Sequence, residues 1–195
     1  MLTLLLSVSA INTLACIGVA LWVRRNFALA GRLGPFTAIC LGVVFYIPVI
    51  VTLLAAWSGL DRGSLALPAG WGLAVGLIFM TPGIALIAAG RLTYGSRARV
   101  YGLREDALLT HGIYAWSRNP QYVGTVLVLL GVALIARSFV TLLFAFFFFL
   151  LIHFYVVWVE EPHLSNAFAE RYAMYRSETN RYIGLKARGG NQRAR

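Results

Sequence analysis

Five stretches of this chain, residues 1–23, 36–57, 70–90, 120–136 and 139–159, contain no aspartate, glutamate, lysine or arginine. A bilayer's hydrocarbon core is about 30 Å thick, and a helix crosses it with about 20 apolar residues. No water reaches that core to satisfy a backbone N–H or C=O, so a spanning segment that is not part of a closed barrel must be helical. The pattern therefore predicts an all-α, polytopic membrane protein with about five transmembrane helices. The first stretch lacks a basic leading region and reads as a span rather than a cleaved signal. Pro48 and Pro82 fall inside the second and third spans and are expected to kink a helix or open a local cavity.

Composition agrees. The 195 residues are 59% hydrophobic and 12% charged, against about 45–50% and about 25% in soluble domains. A net charge of +10 would suggest nucleic acid in a soluble protein. Here the basic residues lie between and after apolar stretches, so the expected partners are membrane lipids and no nucleic acid. Cys16 and Cys40 sit within apolar runs as small core residues. His111, His153 and His163 do not have the spacing of a zinc site, and His153 reads as a helix–helix contact. No dinucleotide fingerprint, Walker loop or nucleophile elbow occurs.

The connections carry the polarity. Residues 24–35 form a basic link, 58–69 a polar one with Asp61 and Arg62, and 91–118 a longer polar segment expected to be interfacial or partly re-entrant. Arg137-Ser138 makes a tight turn that folds spans four and five into a hairpin. The phenylalanines from Phe144 to Phe149 read as lipid-facing bulk and packing. After Glu160-Glu161-Pro162, Leu164, Phe168, Tyr172 and Tyr175 recur at helical spacing, which predicts a cytoplasmic amphipathic C-terminal helix. Residues 1–185 are expected to form one domain, with three spans in 1–91 and the remainder in 92–185; 186–195 read as a basic, mobile tail.

With five spans, fifteen of the seventeen basic residues fall on one side, leaving Arg62 and Arg137 on the other. The positive-inside rule makes the basic side cytoplasmic, with the N-terminus outside and the C-terminus inside. One lysine against sixteen arginines points to a GC-rich bacterial genome and hence an inner membrane.

The same topology brings two polar motifs together at adjacent ends of the hairpin. One is Ser117 to Gly124, where Asn119 is a good helix N-cap and Pro120 suits the first helical position. Free amides there, with Arg118, could hold an anion; the plainer reading is a helix cap with a snorkelling arginine. The other is Glu160-Glu161. Neighbouring helical positions point about 100° apart, so one glutamate can face a ligand while the other pairs with an arginine such as Arg118 or Arg181. The plainer reading is two interfacial charges balancing a basic surface.

These motifs carry a family resemblance. Gly112-Ile113-Tyr114, Arg118-Asn119-Pro120-Gln121-Tyr122-Val123-Gly124, Glu160-Glu161-Pro162-His163-Leu164, Phe168, Tyr172, Tyr175 and Arg181 resemble the signature shared by isoprenylcysteine carboxyl methyltransferases and phospholipid N-methyltransferases. The likeness runs from about 108 to 184. Asn119 replaces the histidine usual in the carboxyl methyltransferases, Ala169 replaces a usual glycine, and Gly184 stands where a proline is common.

The resemblance implies an S-adenosylmethionine-dependent integral membrane methyltransferase. It places Gly112, Tyr114, Arg118, Asn119, Pro120, Tyr122, Gly124, Glu160 and Glu161 around the cofactor, with Glu161, Arg181 and Tyr122 as catalytic residues. Arg181 would orient an anionic group, and Tyr114 or Tyr122 would face the sulfonium. The acceptor would be lipophilic and arrive from the bilayer, as a phospholipid amine, an isoprenylcysteine carboxylate, or a smaller thiol or amine. Two alternatives stay open: an NADPH-dependent membrane sterol-type reductase, because some of these carry a similar arginine–tyrosine–glycine stretch, and a non-catalytic membrane scaffold.

Overall fold

A computed structural model describes residues 1–95 and 108–183. Its helices are α1 (Leu2–Ala30), α2 (Pro35–Ser58), α3 (Ala69–Tyr94), α4 (Pro120–Ala136), α5 (Phe139–Tyr155) and α6 (Glu161–Glu178), with a 3₁₀ turn at Gly112–Ala115 and a π-helical turn at Val156–Glu160. The protein is all-helical and integral to the membrane. Three of the helices, and α5 with its continuation, are apolar enough and long enough to cross a bilayer. α4 has 17 residues, about 25 Å at 1.5 Å per residue.

The outer helices are longer than the apolar stretches. α1 continues through Arg24 and Arg25 to a left-handed Gly31, so the basic link shrinks to four residues. Arginine is a good helix former whose stem can lie along apolar surface, and the Arg24 guanidinium sits 4.5 Å over the Trp158 ring. α3 likewise runs on to Tyr94. Of the polar segment expected at 91–118, residues 96–107 lie outside the described residues, as does the tail expected at 186–195.

α5 lies at the centre, packed on α4 and α2. Leu129, Ala145, Phe148, Ile152 and Val156 form one buried cluster there. A second cluster, with Ala20, Val23, Ala38, Tyr155 and Val159, ties in α1 and α2. Asn12, buried in α1, donates to the Val44 carbonyl of α2 at 3.1 Å, a polar tie of the kind that joins helices in lipid.

α3 joins the bundle through α4, and glycine sets that contact. A Cβ on Gly83 would lie 2.7 Å from the Gly124 carbonyl, and one on Gly76 2.7 Å from the Gly131 carbonyl. The glycines repeat every seven residues on both helices, so the two backbones touch along a seam, the close approach small residues permit in membranes.

The end away from the polar motifs is closed by Asp61. It accepts from Ser138 Oγ, from Ser64 Oγ at 2.8 Å and from the Val140 amide at 2.8 Å. The Arg137 carbonyl accepts from Gly63 and Leu65. The α2–α3 link is thereby tied to the α4–α5 turn, where Ser138 caps α5.

Two expectations about local structure are corrected. The amphipathic stripe exists, with Tyr172 and Tyr175 buried, but α6 is broken at Ala169, which has φ 42° and ψ −118°. The phenylalanine run of α5 is not only bulk and packing: Phe146 is exposed, while Phe148 is 3% exposed and lines a cavity.

Candidate active site

The two polar motifs meet. α4 begins at Pro120 and the π turn ends at Glu160, and Arg118, Asn119, Tyr122 and Glu160 face one cavity of about 500 Å³. A π turn adds one residue to the helical repeat and is often found at functional sites. Here the Glu161 N–H bonds the Val156 carbonyl five residues back, and the two glutamates part. Glu160 lines the cavity and accepts from the Tyr122 hydroxyl at 3.3 Å. Glu161 turns away and is clasped by arginines.

That clasp is nearly complete. Arg181 Nε and NH2 reach the two oxygens of Glu161 at 2.7 and 2.9 Å, and Arg118 NH1 lies 3.1 Å from Oε1. Arg118 NH1 also donates to the Tyr172 hydroxyl at 2.9 Å. Burial pushes the Glu161 carboxyl up, but the Arg181 hydrogen bonds and the Arg118 charge outweigh it and hold the group below the ordinary carboxylate range. Arg118 Nε is buried and has no hydrogen-bond partner among the described residues.

Asn119 occupies the N-cap position of α4, but its side chain does not cap. Its Nδ2 donates to the Arg181 carbonyl at 3.0 Å, and the Arg118 amide donates to the Asn180 carbonyl. The His153 ring nitrogen lies 2.8 Å from the Tyr182 hydroxyl, so its partner is this returning segment rather than another helix. Residues 179–182 thus form a strap stitched across the start of α4.

Tyr114 reaches the cavity from the 3₁₀ turn. Its hydroxyl accepts from Gln121 Nε2 at 3.0 Å, and its carbonyl accepts from Tyr175 at 2.7 Å. Burial pushes the Tyr114 hydroxyl up to about 12, so it stays protonated. Gly112 has φ 60° and faces Thr93, and Pro120 is buried at the start of α4. Gly124 points at α3 along the glycine seam. Of the residues the resemblance proposes, Tyr114, Arg118, Asn119, Tyr122 and Glu160 line the cavity; Glu161 and Arg181 stand behind them.

Sequence reasoning missed the rest of the lining. α3 contributes Ile87, Arg91 and Tyr94; α2 contributes Phe45, Tyr46 and Val49; His163, stacked 3.6 Å from the Phe27 ring, adds another face. The i, i+4, i+7 spacing of Ile87, Arg91 and Tyr94 was available in the sequence, but in a uniformly apolar helix such spacing does not tell a cavity face from a lipid face.

The chain is thus an all-helical membrane domain with a charged cavity at one end of its helical hairpin. Residues 71–171 match the family model for phospholipid methyltransferases, and the chain belongs to that family, within the superfamily that also holds the isoprenylcysteine carboxyl methyltransferases. No individual curated protein and no solved structure gives a significant match. The matched stretch begins in α3 and ends in α6; α1 and α2 lie outside it.

Proposed function

We propose that the protein transfers a methyl group from S-adenosylmethionine to a lipophilic acceptor at the cytoplasmic face of the membrane. One observation carries this reading: a single cavity joins a polar end, with Arg118, Asn119, Tyr122 and Glu160, to an apolar wall that includes Phe45, Val49, Leu129 and Phe148. Its volume of about 500 Å³ lies within the usual range for small-molecule sites. A polar cofactor and an apolar acceptor need both surfaces in one place.

The residues fit the cofactor's chemistry. The unpartnered Nε of Arg118 suits a carboxylate. Glu160 suits an ammonium or ribose hydroxyls. The Tyr94, Tyr114 and Tyr122 rings in the lining suit a sulfonium cation. When bound, the cofactor supplies an electrophilic methyl that an acceptor lone pair can take as the carbon–sulfur bond breaks. The protein's share is alignment and exclusion of water. Tyr122 holds Glu160 in place, and Glu161 with Arg181 fixes Arg118. The arginine-rich end of the bundle supports a cytoplasmic orientation for the site, with the N-terminus outside. The arginine-heavy composition supports a bacterial inner membrane.

The test is binding of methyl-labelled S-adenosylmethionine to the purified full chain, then label transfer to lipid extracts. Saturable binding that Glu160→Gln weakens on the order of tenfold, the worth of a charge-assisted hydrogen bond, upholds the reading. A well-folded wild-type protein that takes up no cofactor would remove it.

A further inference from the structure

Among the described residues, α2 packs chiefly on α1 and α5, and α3 chiefly on α4. Both α2 and α3 nonetheless line the same cavity, with α4 as its floor. The cavity is therefore a cleft between α2 and α3. On α2 its lining runs from Ala38 to Leu53, about 22 Å at 1.5 Å per residue, which is about three quarters of a 30 Å hydrocarbon core. Exposed apolar residues flank it on the α2 side, among them Val43, Ile50 and Leu54. The cleft thus faces lipid and reaches from the polar end past mid-membrane.

Two side chains meet across this cleft. Arg91, in the last turn of α3, donates from NH2 to the Tyr46 hydroxyl of α2 at 3.5 Å. Both residues line the cavity and both are exposed. The contact is long and exposed, so it is weak and easily exchanged. The other cavity arginine, Arg118, is already held by Glu161 and Tyr172. Arg91 has no acidic partner among the described residues. A guanidinium at the mouth of an apolar cleft offers a planar fork of donors matched to phosphate or carboxylate oxygens.

We propose that Arg91, braced by Tyr46, selects acceptors in which an anionic group, phosphate or carboxylate, sits at the head of an apolar chain entering between α2 and α3. The anionic oxygens replace the Tyr46 hydroxyl on Arg91, the chain lies along the cleft, and the nucleophile, an amine beyond the phosphate or a free oxygen of the carboxylate itself, faces Glu160 and Tyr122. This rests on the reading of the cavity as the acceptor site. It adds a specificity-determining residue outside the cluster formed by the sequence motifs.

The experiment measures affinity of the full chain in maltoside micelles, which carry no phosphate, for two matched pairs. One pair is a short-chain phosphatidylethanolamine and the corresponding diacylglycerol. The other is a farnesylated N-acetylcysteine and its methyl ester. The wild type should prefer the phosphate-bearing or carboxylate-bearing member of at least one pair by on the order of tenfold. Arg91→Gln should erase that preference and Arg91→Lys should keep part of it, with uncharged probes binding as before. The pair that discriminates identifies the phosphate or the carboxylate source. The proposal is overturned if neither pair discriminates, if the preference survives in Arg91→Gln, or if that variant weakens all four probes alike. Because the readout is binding, it holds even if the protein takes up no S-adenosylmethionine, a result that would count against the methyltransferase reading alone.

Discussion

Arg181 grips Glu161 with two nitrogens, Nε at 2.7 Å from one carboxylate oxygen and NH2 at 2.9 Å from the other. Adjacent glutamates therefore have different duties. Glu161 neutralises a buried arginine and fastens the strap, while Glu160 is turned to the cavity.

Substituting the two should separate structure from binding. Glu161→Ala leaves Arg118, whose side chain is 8% exposed, without its carboxylate. Breaking one partner of a buried pair costs about 3–5 kcal/mol, so this variant should lose most of its thermal stability in detergent. Glu160→Gln keeps an oxygen to accept from the Tyr122 hydroxyl, so it should melt within about 1 kcal/mol of wild type, yet lose affinity for S-adenosylmethionine. Paired melting and binding curves check this.

Gly124→Ala is expected to destabilise by about 1–3 kcal/mol, the usual cost of overpacking. Its new Cβ would lie 2.5 Å from the Gly83 carbonyl, and backbone cannot step aside as a side chain can. Because α4 also carries Gln121 and Tyr122 to the cavity, cofactor affinity should fall with stability. Gly70→Ala, which meets nothing within 4 Å, is the control.

Ala169 is strained, and removing the strain should help. Its φ of 42° with ψ −118° belongs to a region that glycine enters freely and alanine does not. Such residues cost about 1–3 kcal/mol. Ala169→Gly should raise the melting midpoint by the equivalent of about 1 kcal/mol, and a fall would show that the break in α6 is not held in this conformation.

Asp61 predicts an acid limit. Burial raises its pKa, but hydrogen bonds from Ser138, Val140 and Ser64 outweigh this and leave it below the usual value. A carboxyl depressed in the folded state stabilises above its unfolded pKa, about 3.9, and that contribution is lost as pH falls through the folded value. The melting midpoint should therefore drop on acidification below about pH 4. Asp61→Asn should be less stable by about 1–2 kcal/mol at neutral pH and should flatten this part of the curve.

The fold was legible because lipid allows one solution: a charge-free run long enough to span must be a helix. The hairpin and the meeting of Arg118 with the glutamates followed from counting spans. The parting of Glu160 from Glu161 followed from helical geometry, while the π turn at Val156–Glu160 left no sequence signal. Asn119 was legible as an N-cap position but not as a tie to Arg181, because that partner lies 62 residues away. Gly124 shows the reverse case. It falls inside a motif that resembles a binding site, and only its heptad spacing to Gly131, matched by Gly76 and Gly83, points to helix contact. The α2 wall was hidden because Phe45, Tyr46 and Val49 look like any membrane helix.

The strap has a consequence for biosynthesis. Every spanning helix is complete by Glu160, yet the groups that fasten Arg118 and Asn119 belong to Asn180 and Arg181. Insertion into the bilayer can therefore finish before the pocket exists. A nascent chain halted in between would sit in the membrane with Glu161 lacking Arg181 and Arg118 lacking the Asn180 carbonyl, and the ribosome must deliver about twenty more residues before the strap can close.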